Sequence, residues 1–519
     1  MISAPQTVPL KTWLAVIGST LGSFMAVLNI QITNAALPDI QGAIGAGIDD
    51  GGWISTSYLI TEIIVIPLTG WLARAFSVRV YLLVNAVLFL GFSASCAFAH
   101  DLSQMIVLRG FQGFTGGVLI PMAFTIIMTT LPKAKQPIGM ALFAVSATFA
   151  PAIGPTIGGW LNDNYGWQYI FYVNLAPGIL MLGLLAVSLA PSPMQLGLLR
   201  RGDWPGIATM AIGLASLQTM LEEGNKDDWF GSPFIVHLAI GAAIALPLFV
   251  VIELIVTYPL LNLRLLLRRN FGLGTAANFL LGVALYGSVF ILPLYLSQTQ
   301  GYNAQQIGEV LAWTGLPQLL LIPLVPRLMK RLDARSLVGL GFVLFAASAF
   351  LSTHLNADFS GPQFLVPNVI RAIGQALVLT PLSALATAGM EAENAGSASA
   401  LFNMMRNLGG AIGIAMLQTA LTRREQFHSD ILTSSISLAS EAFRTRVAEL
   451  TQYFLTHGIS DEARAQHQAI VAVGRIVKRQ AFIMGYADTF LLLGIALLLA
   501  LAATMCLRNP DNLSAGGAH

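Results

Sequence analysis

The chain has 519 residues, 55% hydrophobic and 10% charged, with a formal net charge of +2 at pH 7. A soluble domain is about 25% charged, so this composition excludes an ordinary water-soluble globule and points to a membrane protein. The near-neutral balance supplies no basic field for nucleic acid, and no nucleic-acid partner is expected.

Fourteen apolar runs follow one another, near residues 13–37, 52–72, 79–99, 103–131, 137–159, 167–190, 205–222, 234–256, 272–296, 304–325, 336–354, 364–388, 397–420 and 481–507. Runs of about 20 residues match a ~30 Å hydrocarbon core, so an all-α membrane protein with fourteen transmembrane helices is expected. The first run is too long for the apolar core of a cleavable signal, and more spans follow it. With the N-terminus in the cytoplasm, the inner links hold Lys11, Arg74, Arg79, Lys133, Lys135, Arg200, Arg201, Arg264, Arg268, Arg269, Arg327, Lys330, Arg331, Arg335 and Arg508. The short outer links hold only Lys226. This positive-inside pattern places both termini in the cytoplasm.

The second run, "WISTSYLITEIIVIPLTGW" from Trp53 to Trp71, carries Glu62 near its centre. A carboxylate at that depth is costly in hydrocarbon and marks an ion or proton path. Counting from the outer helix ends puts Asn29 roughly 12 Å deep, Glu62 roughly 15 Å and Arg109 roughly 9 Å, one polar layer across helices 1, 2 and 4. If they face one cavity, Arg109 bonds a deprotonated Glu62 directly or through water. The competing reading is a static buried ion pair that orders the bundle. In the fifth run, "APAIGPTIGGW" sets Gly154, Pro155, Gly158 and Gly159 at near-helical spacing, a small-residue face for close helix approach. Gly113, Gly116 and Gly117 do the same on helix 4, with Gln112 able to face the cavity.

The chain repeats itself. "PLTGWLARAFSVR" at 67–79 matches "PLVPRLMKRLDAR" at 323–335, Arg109 in "RGFQG" matches Arg371 in "RAIGQ", and the glycines of run 5 find an echo in "RNLGGAIG". Two related halves are expected, 1–195 and 261–519, with two helices inserted at 196–260. A site at the interface of such repeats is how many secondary transporters are built. In the second half, Glu309, Arg371 and Asp488 fall roughly 9–12 Å from the outer end. Gln318, not Glu309, takes Glu62's place in the repeat. Glu309 reads either as a cavity residue or as a helix-end residue, Asp488 as a cavity residue or an interhelical partner, and Arg371 as a cavity residue. Arg406 reads as snorkelling or structurally paired. The long outer segment 421–480 places Phe443, Val447, Leu450 and Phe454 at helical spacing, so a mostly helical, folded cap is expected.

The repeat, the basic link after helix 2, "RGFQGFTGG" and "GPTIGG" resemble the major facilitator superfamily. The fourteen-span layout, "FMAVLNIQITNAALPDI", "APAIGPTIGGWLNDNYGWQYIFYVNLAPG" and the long last outer loop resemble its drug–proton antiporter branch, in particular EmrB-type inner-membrane efflux subunits. The resemblance implies a major facilitator fold and export driven by the proton gradient, without a bound cofactor. It implies hydrophobic or amphipathic toxic compounds as substrates, in a cavity near Phe24, Met25, Gln112, Tyr286 and Asn403. It implies work in the bacterial inner membrane with a periplasmic membrane-fusion adaptor and a TolC-type outer-membrane channel. The glycine motif of run 5 marks exporters in the resembled branch. Two departures stand out: Asn29 fills a position usually held by Asp, and Arg74 stands where the link after helix 2 usually carries Asp.

No G-x-x-x-x-G-K-[ST] phosphate loop, H-E-x-x-H spacing or nucleophile elbow occurs, so neither ATP-driven work, a metal centre nor catalysis is expected. Cys96 and Cys506 lie in apolar runs and read as packing residues. The rival functions are a dedicated exporter or importer of one metabolite, such as a siderophore or organic acid, and, more remotely, a membrane-bound enzyme or channel.

Overall fold

The computed structural model describes residues 8–47, 50–435 and 440–508. In chain order the long helices are α1 (Leu10–Ala35), α2 (Trp53–Phe76), α3 (Val78–Cys96), α4 (Leu102–Thr130), α5 (Gln136–Tyr165) and α6 (Tyr169–Ser188). The inserted pair follows as α7 (Trp204–Glu223) and α8 (Pro233–Ile255). Then come α9 (Arg269–Gln300), α10 (Gln305–Leu328), α11 (Ala334–Leu351), α12 (Gly361–Ala386), α13 (Ala395–Ser434) and α14 (Glu462–Met505). Thirteen of them are long and apolar enough to cross a membrane. The remaining one, α7, is a 20-residue helix ending in Glu222 and Glu223. Its length, about 30 Å at 1.5 Å per residue, suits a fourteenth span.

The halves repeat in space as in sequence. In the first, α5 packs on α1; in the second, α13 packs on α9. Glycines make both approaches possible: a Cβ at Gly158 would stand 2.8 Å from the Ile32 carbonyl oxygen, and one at Gly413 2.7 Å from Val283 Cα. A Cβ at Gly154 would run into Gln31. Gly159 is buried, and Pro155 sits within the unbroken α5. The basic links also match. Arg79 donates from Nη2 to the Ala186 carbonyl at the end of α6 at 3.0 Å. Arg335 donates from Nη1 to the Leu507 carbonyl just past the end of α14 at 3.1 Å. Guanidinium groups thus satisfy carbonyls that a helix C-terminus leaves unpaired. Arg74 is exposed.

The halves meet along two seams, α2 on α13 and α5 on α10. Gly70 faces Gly396, with 3.2 Å from a Cβ at Gly70 to the Gly396 carbonyl carbon. The Ser399 hydroxyl donates to the Pro121 carbonyl at 2.8 Å, and the Phe124 and Phe402 rings lie 5.8 Å apart. On the other seam, Gly315 lies against Phe149 and Gly308 against Thr156.

The inserted pair packs on itself and on α2 through α7. The Thr56 hydroxyl donates to Glu223 Oε1 at 3.1 Å, and Glu223 pairs with Lys226 at 3.1 Å. With α13 the pair walls an apolar cavity of about 450 Å³ that includes Met210, Leu214, Phe249, Leu401, Met404 and Met405.

The long segment near 421–480 is helical where described. α13 runs on to Ser434, a helix spans Glu441–Thr456, and α14 begins at Glu462. Val447 is buried and Phe443, Leu450 and Phe454 are half-buried, so the expected stripe turns inward, against α14. Residues 436–439 of this segment lie outside the described residues. Cys96 is buried at the end of α3, and Cys506 is exposed just past α14.

Candidate functional site

Helix α4 sets the first half of the site. Its glycines let it lie directly on α2: a Cβ at Gly117 would stand 3.0 Å from Glu62 Cα, and one at Gly113 2.8 Å from Tyr58 Cα. Pro121, with no N–H to donate, follows a break at Val118. Glu62 is 3% exposed and its Oε1 has no hydrogen-bond partner.

Arg109 is fully buried and well satisfied. Its Nη1 donates to Asn29 Oδ1 and to Gln112 Oε1, each at 2.7 Å, and its Nε to the Ile54 carbonyl at 3.3 Å. Its guanidinium stacks on the Tyr58 ring, 4.3 Å from the centroid. Arg109 and Glu62 make no direct bond: no ion pair within 4.0 Å joins them. The reason is register. Arg109 meets α2 at Ile54 and Tyr58, and Tyr58 precedes Glu62 by a full turn, roughly 6 Å along the axis. Asn29 and Gln112 therefore serve Arg109, and Gln112 also accepts from Cys96 Sγ at 3.8 Å.

Across the seam stands a second buried cation. Arg406 on α13 is 1% exposed, and its Nε, Nη1 and Nη2 all lack hydrogen-bond partners. Its guanidinium lies 5.7 Å from the ring centroid of Phe143 on α5. Glu62 lies within electrostatic range of both Arg109 and Arg406, and Tyr286 within range of Arg406 and Glu62. Tyr286 packs on Gly410, and Gly282 presses on the Arg406 backbone. Asn403 is buried one turn away, its Nδ2 donating to the Ser399 carbonyl at 2.9 Å and its Oδ1 unpartnered. Arg406 is thus central and buried rather than snorkelling, with the Tyr286 side chain beside it as a hydrogen-bond neighbour and no bond of full geometry at its nitrogens. The signal was its position between Asn403 and "GG", which must face α9.

The other expected residues divide. Gln318 is buried and donates to Gln375 at 2.6 Å; Arg371 donates to the Thr314 hydroxyl one turn earlier on α10. This copies Arg109 over Tyr58, one turn before Glu62. Phe24 stacks on Phe149 at 6.2 Å, and Met25 is fully buried. Glu309 departs from the cavity role: it is exposed near the start of α10, where Gln305 donates to it at 3.4 Å. Asp488 departs too. It pairs with Arg424 and with His428 at 2.8 Å, fastening α14 to the far part of α13. Among the described residues no cluster of His, Cys, Asp and Glu could hold a metal ion.

Residues 19–414 match the model of the Major Facilitator Superfamily. The chain belongs to this superfamily. It is 32% identical over 500 residues to the fatty acid resistance protein FarB of Neisseria gonorrhoeae, with 96% of each chain covered. It is 30% identical over 495 residues to the colistin resistance protein EmrB of Acinetobacter baumannii, covering 95% of this chain and 96% of that one. To the multidrug export protein EmrB of Escherichia coli strain K12 it is 30% identical over 504 residues, with 96% of each covered. In fold it is similar to the human organic anion transporter MFSD10, with a TM-score of 0.57 at 15% identity, covering 94% of this chain and all of the other. The transporter superfamily fold and its multi-pass membrane character are therefore established for this chain.

Proposed function

We propose that this protein is a proton-coupled exporter of hydrophobic and amphipathic toxic compounds, a multidrug efflux transporter of the bacterial inner membrane. One observation carries the reading: Glu62, a buried carboxylate without a partner at Oε1, lies within electrostatic range of two buried cations, one in each half. A charge that binds or releases a proton there changes the attraction between α2 and α13, and so between the halves. The names of the relatives, which speak of multidrug export, colistin resistance and fatty acid resistance, support an exporter of this class.

In this mechanism a proton from the outside neutralises Glu62. Arg406 and Arg109 lose a shared counter-charge, and the α2–α13 seam loosens. Release of the proton to the cytoplasm, with cytoplasmic substrate taken up in exchange, restores it. Both termini face the cytoplasm, and the helical projection of α13 and α14 faces the periplasm, where it meets an adaptor that leads to an outer-membrane channel. The chain performs transport and no covalent chemistry. Counterflow in proteoliposomes with a substrate panel, with and without a pH gradient, tests the reading. Substrate flux must follow the imposed gradient; flux indifferent to it defeats proton coupling.

A further inference from the structure

Arg371 on α12 is 4% exposed and carries a charge that no acid answers. A guanidinium does not give up its proton inside a protein. Among the described residues no ion pair reaches it. It donates from Nη2 to the Thr314 hydroxyl, a neutral acceptor, and its Nε has no partner. The repeat accounts for the deficit. In the first half Arg109 has Glu62 within electrostatic range. In the second half Gln318 stands in Glu62's place, and it donates to Gln375. A buried charge left alone is costly, and a counter-charge beside it removes that cost.

Next to Arg371 the second half is not filled. A small cavity of about 10 Å³ opens among α9, α11, α12 and α14, room for one water or one small ion. Its polar lining is Ser288, Ser348, Ser352, Asn368 and Arg371, and no Asp or Glu lines it. We infer that this cavity is a binding site for a single halide ion, chloride in the cell, held as the resident counter-ion of Arg371. Chloride carries one negative charge, accepts from guanidinium and hydroxyl donors alike, and is small enough for the space. A water bridges the same groups but leaves the charge unanswered. Ser288 and Ser352 now donate to the Leu285 and Ser348 carbonyls of their own helix, and hydroxyl groups turn readily toward an anion. The lining helices are not those of the two seams between the halves, so the ion belongs to the body of the second half and is not cargo.

The test needs neither a gradient nor a transport substrate, so it stands apart from the export function proposed above. Radiolabelled chloride is dialysed to equilibrium against the purified full-length protein in gluconate buffer. Saturable binding of a single ion per chain is expected, displaced by bromide and not by the larger phosphate. The melting temperature is expected to rise with chloride, since an ion that binds only the folded chain stabilises it. Arg371→Gln is expected to weaken chloride binding at least about tenfold and to melt at a temperature indifferent to chloride. Ser348→Asp places a fixed carboxylate at the cavity and is expected to exclude chloride with Arg371 still present. Absence of saturable chloride binding by the native chain overturns the assignment, as does displacement by phosphate as effective as by bromide. Native chloride affinity in Arg371→Gln also overturns it. Should Arg371→Gln not fold, Ser348→Asp decides: native chloride affinity in that variant overturns the site.

Discussion

Arg109 gives its Nη1 donors to Asn29 and Gln112 at 2.7 Å each, and so stands bonded to neutral acceptors and still charged while Glu62, one turn along α2, stands without a partner at Oε1. A satisfied cation beside an unsatisfied carboxylate separates the two jobs that an ion pair would merge. Arg109 holds α1, α2 and α4 together. Glu62 is left free to respond to protons and to the opposite half.

The first prediction concerns Glu62→Gln. The amide keeps the size and the neighbours of the side chain but cannot carry a proton. Transport driven by a pH gradient is expected to fall to background in proteoliposomes, with the melting temperature equal to or above that of the native chain. Burying an ionisable group without partners is costly, so its neutral isostere does not weaken the fold. Gradient-driven flux near the native rate would show that the proton passes elsewhere.

The second concerns Asn29. Its Oδ1 accepts from Arg109 while its buried Nδ2 has no acceptor. Asn29→Asp removes the unsatisfied donor and turns a neutral acceptor into a charged one. The variant is expected to fold, to hold Arg109 at least as tightly, and to raise thermal stability. Asn29→Leu strands the guanidinium and is expected to cost about 1–3 kcal/mol, the cost of leaving a buried donor unmade. Equal melting temperatures for the Asp and Leu variants would mean that this bond contributes nothing.

Much of this architecture is legible in the sequence, for a definite reason. Each span is a continuous apolar run, and glycine spacing at 154 and 158 or at 409 and 413 can only serve close backbone approach. Arg79 and Arg335 keep their register after Pro67 and Pro323, and both meet a carbonyl at the end of a neighbouring helix. What a run of apolar residues conceals is rotation about the helix axis. Arg406 looks like a snorkelling residue until the packing of Gly409 and Gly413 on α9 turns it inward. Asp488 has its partners, Arg424 and His428, at the far end of a different helix, where no local motif connects them. The Glu62–Arg109 misregister is a single turn, within the error of counting depth from uncertain helix ends.

The third prediction tests the repeat through its glycines. A leucine at Gly158 must push α5 away from the Ile32 carbonyl, and one at Gly413 must push α13 away from Val283. Both variants are expected to lose at least about 1–3 kcal/mol, the usual penalty for overpacking, and most transport. A large asymmetry, with one variant active and stable, would show that only one of the two pairs has to stay in close contact during transport.

The last prediction concerns the projection. α13 continues to Ser434 and α14 starts at Glu462, so two helices extend past the spans and carry the helix Glu441–Thr456 between them. The root is fastened by Asp488 with Arg424 and His428, below the part to be removed. A connection needs only a few residues, and a segment this long has a task of its own. Its inner stripe is spent on internal packing, with Val447 buried, while Tyr453, Ile470 and Ile476 are exposed. Exposed apolar groups on a projection of this kind suit a protein partner. Replacing residues 430–475 with a flexible linker is expected to abolish co-purification of the membrane-fusion adaptor while transport in proteoliposomes persists. Retained co-purification would assign the contact to another surface. Lost transport in proteoliposomes would show instead that the projection seals the mouth of the cavity.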